Sequence, residues 1–200
     1  MRKSAPPLLA IFRTRLQGEL LARVYLRADN GPLSISELAR ELDEPTSTVY
    51  REAARLVQAG LLTEQKVGRV RLLSTPADEL VTRPLTDLLA VSFGPLPVLT
   101  GLLEDVADID EAYLYGSWAA RYRGEPGPTP NDVDVLVIGA ADRDELDEAA
   151  ESARRQLHRE VNIRRVAPQR WQHSGDDPFL ESVRQRPLVA LTLAEGDEAP

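Results

Sequence analysis

Residues 112–139, AYLYGSWAARYRGEPGPTPNDVDVLVIG, hold the residue types and spacing from which chemistry is most directly read. The apolar run 112–115 ends in Gly116-Ser117. After a gap of fourteen residues comes Asp132-Val133-Asp134, followed at once by the apolar run 135–138. Carboxylates at i and i+2 at the head of a strand project from one face, because side chains alternate along it. Like charges that close repel unless a cation lies between them, and Mg²⁺ is the usual one. A Gly-Ser turn where a strand feeds a helix is a natural anion site, since the first helical N–H groups have no acceptor within the helix. A phosphate cradle beside a pair of metal-binding carboxylates points to nucleotide chemistry.

The elements that must position these groups follow from periodicity. Gly116 opens a short helix on which Ser117 and Arg121, four residues apart, share a face. A helix over about 144–157 leads to a strand over 160–166, where alternation puts Glu160, Asn162 and Arg164 on one side. This order resembles the signature of minimal nucleotidyltransferases of the polymerase-β superfamily, in which an apolar strand, Gly-Ser, a short helix and Asp-x-Asp follow one another. The likeness covers about residues 100–195. It implies that Gly116, Ser117 and Arg121 bind the triphosphate of a nucleoside triphosphate such as ATP. It implies too that Asp132 and Asp134 are the catalytic, Mg²⁺-binding pair. The gap before Asp132 exceeds that of compact members, and Gly124-Glu125-Pro126-Gly127-Pro128 reads as an inserted loop. Active members carry a third aspartate on a neighbouring strand. Here Asn162 stands at that place, with Glu160 the other candidate for a third ligand. An amide can lend an oxygen to a metal, but it carries no charge and cannot take a proton.

The first third of the chain has a different character. Residues 1–75 carry 12 Lys/Arg against 8 Asp/Glu, the remainder 12 against 24, within a formal net charge of −8. A basic segment on an acidic protein suits a polyanion. Its apolar spacing predicts a helix over 7–28, a short helix over 36–42 with Ser36 as N-cap, and a third over 46–59 ending at Gly60 in the left-handed conformation. Val49, Ala53, Leu56 and Val57 form the apolar face of the third helix; Ser47, Arg51 and Arg55 lie opposite. Two strands, 61–67 and 70–73, flank Gly68-Arg69. The segment LSISELARELDEPTSTVYREAARLVQAGLL resembles the winged helix-turn-helix of small bacterial repressors of the ArsR and MarR type, over about residues 12–75. The resemblance implies that Ser47, Thr48, Tyr50 and Arg51 face the major groove of double-stranded DNA, that Lys66, Arg69 and Arg71 on the wing reach phosphate or the minor groove, and that a homodimer reads two half-sites. Glu44, Glu52 and Glu64 would oppose DNA if they faced it, and a helical packing module with a solvated polar face is the alternative.

Composition sets the limits. With no cysteine, disulfides, thiolate catalysis and Cys-ligated metals are excluded, and two histidines argue against a His-based zinc site. No stretch reads as a run of roughly 20 apolar residues, so a cytoplasmic protein without a membrane partner is expected. Residues 76–110 read as two helices around 93–97, a linker or dimerisation region. Trp171 and Phe179 are assigned to packing, His173 to an exposed loop, 188–193 to a final strand and 195–200 to a frayed end.

The fold class expected is α+β: a winged helix-turn-helix (1–75), a helical linker (76–110) and a nucleotidyltransferase-like mixed sheet flanked by helices (111–195). The function expected is a DNA-binding transcriptional regulator whose second domain binds a nucleotide and Mg²⁺. A Mg²⁺-dependent transferase moving a nucleoside monophosphate onto a protein or small-molecule hydroxyl is the alternative.

Overall fold

A computed structural model of the protein describes residues 8–27, 31–173, 175 and 177–193. The chain forms two compact units that meet in sequence at Gly94 and Pro95. That boundary falls inside the segment read from sequence as one linker.

In the first unit, a 3-10 turn (Leu9–Ile11) precedes α1 (Arg15–Tyr25), followed by β1 (Leu33–Ser34), α2 (Ile35–Glu41) and α3 (Thr46–Gln58). A ribbon of β2 (Thr63–Val67) and β3 (Val70–Ser74) and a long helix α4 (Glu79–Phe93) complete it. The three strands order β1-β3-β2, all antiparallel. Leu20 and Leu21 from α1, Leu38 from α2, Val49 and Leu56 from α3 and Leu73 from β3 are fully buried and form the core. Helix α1 starts at Arg15, later than expected, because the Thr14 hydroxyl accepts from the Gln17 N–H and caps it there. It ends at Tyr25, with Leu26 as its C-cap donating to Ala22 O, short of the expected end at residue 28, itself outside the described residues.

The cap of α2 is Ser34, not Ser36. Ser34 accepts from the Glu37 N–H at 3.1 Å while the Glu37 carboxylate accepts from the Ser34 N–H at 2.9 Å, a reciprocal capping box. Ser36 sits too late in the chain for that exchange. Helix α3 ends as its glycine foretells. Gly60 has φ +74°, its N–H donates to Val57 O and the Leu61 N–H reaches back to Leu56 O, which closes the last turn.

The second unit opens with α5 (Pro95–Leu103). The core sequence of elements is then β4 (Ile109–Tyr115), α6 (Gly116–Tyr122), β5 (Asp132–Gly139), α7 (Arg143–Leu157) and β6 (Glu160–Val166). Two short helices that the sequence did not announce, α8 (Pro168–Gln172) and α9 (Pro178–Arg184), precede β7 (Val189–Ala190). The sheet orders β6-β5-β4-β7, with β5 and β6 parallel and the other pairs antiparallel. Both units therefore mix helices and sheet, as the α+β class requires. On one face of the second sheet, Leu136, Ile138 and Val166 pack with Trp171, Leu180 and Val183, so Trp171 is a core residue. His173 is exposed, its Nδ1 2.9 Å from Gln169 O.

One helical stretch, 79–103, is long and apolar enough by length and composition to cross a membrane, which qualifies the expectation drawn from composition. It is divided at Gly94 and carries Glu79, Arg83 and Asp87, while Leu89, Leu99 and Leu103 are fully buried in protein.

Candidate functional site

Helix α3 presents Ser47, Tyr50, Arg51 and Arg55 to solvent, with Thr48 half-buried beside them. That face is what remains once Val49, Ala53 and Leu56 turn to the core. Val57 is only half-buried, and the residue that joins the buried face instead is Glu52. Its carboxylate pairs with Arg13, ahead of α1, and lies 3.4 Å from Arg55 Nη1. The charge expected to repel DNA is thus turned inward and countered.

On the ribbon, Lys66 and Arg69 are exposed around Gly68, whose φ of +60° permits the tight turn. Arg71 is differently placed. Cross-strand pairing sets Arg71 opposite Lys66 and diagonal to Glu64, and its guanidinium forms a two-bond fork with the Glu64 carboxylate. Its central carbon also stands 4.5 Å from the centroid of the Tyr50 ring on α3. The Arg71 guanidinium holds the Glu64 carboxyl below the usual carboxylate range. Glu64, like Glu52, is already neutralised; Glu44 remains half-buried at the turn before α3.

The second site forms where β4, β5 and β6 run side by side. Asp134 on central β5 is in register with Tyr115 on β4 and with Asn162 on β6; Asp132 is in register with Glu160. Asp132, Asp134, Glu160, Asn162 and Arg164 therefore share one face, as alternation predicted. Gly116 has φ +69°, and a Cβ there would fall 2.9 Å from Asp134 Oδ2, so the carboxylate lies directly against the strand-to-helix turn. The Asn162 amide donates to Asp134 Oδ1 at 3.2 Å. Glu160 instead pairs with Arg154 Nη2 at 2.9 Å, on the helix preceding its strand.

Ser117 is exposed at the start of α6, and Arg121 is half-buried and engaged with the protein. Burial pushes the Asp134 carboxyl above the ordinary aspartate range, the Asn162 hydrogen bond opposes this and the charge of Asp132 adds to it. Among the described residues no three His, Asp or Glu cluster as a metal site. Two carboxylates on one face, neither in an ion pair among the described residues, nevertheless fit Mg²⁺, which keeps several waters and takes only one or two protein carboxylates beside a phosphate.

Sequence reasoning missed the aromatic border of this face. Phe179 on α9 meets Tyr115 edge-on at 5.9 Å between centroids, and Arg164 stacks on Phe179 at 3.8 Å. Nothing local in the sequence links α9 to β4. The loop between α6 and β5 is held at its end, where Arg159 donates to Pro130 O at 2.6 Å and stacks on Trp118.

Comparison with known proteins bears on the first unit. Residues 25–66 match the family model of the IclR helix-turn-helix domain. No curated protein matches. A solved structure, described as MepR, a transcription regulator of the Staphylococcus aureus multidrug efflux pump MepA, matches with a TM-score of 0.34 and 19% identity. The match takes in 41% of this chain and 62% of that one, less than two thirds of its length. Over residues 25–66 the first unit thus carries a helix-turn-helix that matches the family model of IclR, where the sequence resemblance named ArsR and MarR.

Proposed function

We propose that this protein is a cytoplasmic transcriptional regulator that binds double-stranded DNA through α3 and the β2–β3 wing, as a homodimer reading two half-sites, and holds a nucleotide and Mg²⁺ on its second unit. The observation that carries the first part is the helix-turn-helix match over 25–66 together with an α3 whose exposed face holds Ser47, Tyr50, Arg51 and Arg55 while its one acid, Glu52, is buried and paired. Arg51→Ala with Arg69→Ala should weaken binding to a fragment of the protein's own promoter and flatten its salt dependence. Unchanged retention in a gel shift would sink the reading.

What supports the second part is Asp134 packed on Gly116, with Asp132 on the same face and Asn162 at the third-acid place. Asp132 and Asp134 would hold the Mg²⁺, Ser117 the phosphates. The ion, when bound, neutralises phosphate oxygens. Among the described residues at the third-acid place, Asn162 cannot accept a proton and Glu160 is engaged with Arg154, so this face binds and orients without a free base there. The reading is therefore a nucleotide sensor. Transfer of a nucleoside monophosphate to a hydroxyl would require Glu160 to leave Arg154. Titration calorimetry with ATP and Mg²⁺ should show binding that Asp134→Ala abolishes; incubation with labelled ATP should leave no label on the protein or a lysate. Heat-free titrations across all four nucleotides would rule the site out.

A further inference from the structure

The contact between Arg71, Glu64 and Tyr50 joins two elements that DNA recognition uses separately. Tyr50 belongs to the exposed face of α3, the surface assigned to the major groove, and 46% of it is exposed. Arg71 and Glu64 belong to the wing. Their fork of two hydrogen bonds fixes the plane of the guanidinium, and a plane fixed from one side is what a ring can stack upon from the other. The pair also cancels its own charge. A cation already matched by a carboxylate in fork geometry brings no net charge to a phosphate, and reaching one would require giving up both bonds. Lys66 and Arg69 are exposed on the same ribbon and, among the described residues, have no such fork. The wing therefore holds two kinds of cation.

We infer that Arg71 is a positioning residue for sequence readout and does not bind phosphate: Glu64 and Arg71 together set the Tyr50 ring, and with it the base preference of α3. This deepens the DNA-binding reading and rests on it. The alternative, in which Arg71 swings to the backbone, predicts a different salt response. Each phosphate of B-DNA that a cation ceases to neutralise lowers the slope of log K against log salt by about 0.9.

The test uses the full chain and duplexes selected from a random-sequence library by the wild-type protein. Glu64→Gln with Arg71→Gln keeps net charge constant. The expected result is an unchanged salt slope with discrimination between selected and scrambled duplex reduced at least tenfold. Arg71→Lys, which retains the charge but loses the planar fork, should lose discrimination as well. Arg69→Gln is the contrast: slope lowered by about 0.9, discrimination intact. A lowered slope in the double variant with discrimination preserved, or full rescue by Arg71→Lys, overturns the inference while leaving DNA binding standing. Failure of the wild-type protein to select any duplex overturns both. Arg69 is exposed and Glu64 and Arg71 are half-buried on the ribbon, and thermal melts matching the wild type show that the variants fold.

Discussion

Gly116 and Asp134 show how two side-chain choices define one site. A glycine is required at 116 both by its positive φ and by the carboxylate oxygen that would meet a Cβ at 2.9 Å. Gly116→Ala should lower stability by about 1–2 kcal/mol in urea unfolding, from the left-handed backbone alone. On the sensor reading it should also abolish nucleotide binding by displacing Asp134. Asp134 itself holds its proton more tightly folded than unfolded. Ionising it on raising pH from the unfolded value of 3.8 through the higher folded value therefore removes stability. In the absence of Mg²⁺, Asp134→Asn should raise the melting temperature at pH 7, with the gain shrinking as pH falls toward the aspartate range. A gain independent of pH would contradict this account. At this scale the sequence was readable where spacing decides, as for Asp132, Asp134 and Asn162 on one face. It was unreadable for Arg71 and Glu160, because their partners depend on strand register and on a neighbouring helix. The inward turn of Glu52 was hidden too, since a glutamate in an amphipathic helix ordinarily faces water.

Helices and strands came through as period and punctuation. Strand β6 begins and ends where alternation put it, and α3 stops one residue before its expected end, close to the glycine that signals it. The cap of α2 was misread because Ser34 and Ser36 both precede the apolar run; only Ser34 has Glu37 three residues on. Ser34→Ala should cost about 1 kcal/mol in chemical denaturation, and Ser36→Ala clearly less. Helices α8 and α9 are too short to establish a period, and their prolines resemble loop punctuation. Helix α3 depends on a long-range tie as well as on its own face. Arg13→Ala leaves the buried Glu52 carboxylate with Arg55 alone, and roughly 1–3 kcal/mol of destabilisation is expected in equilibrium melts.

Over the whole molecule, charge divides much as the units do. Residues 1–94 carry 13 Lys/Arg and 11 Asp/Glu, residues 95–200 carry 11 and 21. A duplex approaching the helix-turn-helix thus meets a repulsive field from the rest of the chain. The fragment 1–94 has its own core of Leu20, Leu21, Leu38, Leu56 and Leu73. It should bind random duplex more tightly than the full chain at low salt, and fluorescence anisotropy should find the two converging as screening sets in near about 0.15 M. A gap that persisted in high salt would assign the difference to something other than charge.

The hydrogen bond from Asn162 to Asp134 has a consequence beyond energetics. Codons for asparagine and aspartate differ in a single base, so an amide and a third acid at this position are separated by one replication error. On the sensor reading, Asn162→Asp would bring three carboxylates to adjacent strands while leaving the backbone around them in place. Signalling by occupancy and signalling by covalent transfer would then be neighbouring genotypes, and a lineage could cross between them without refolding anything.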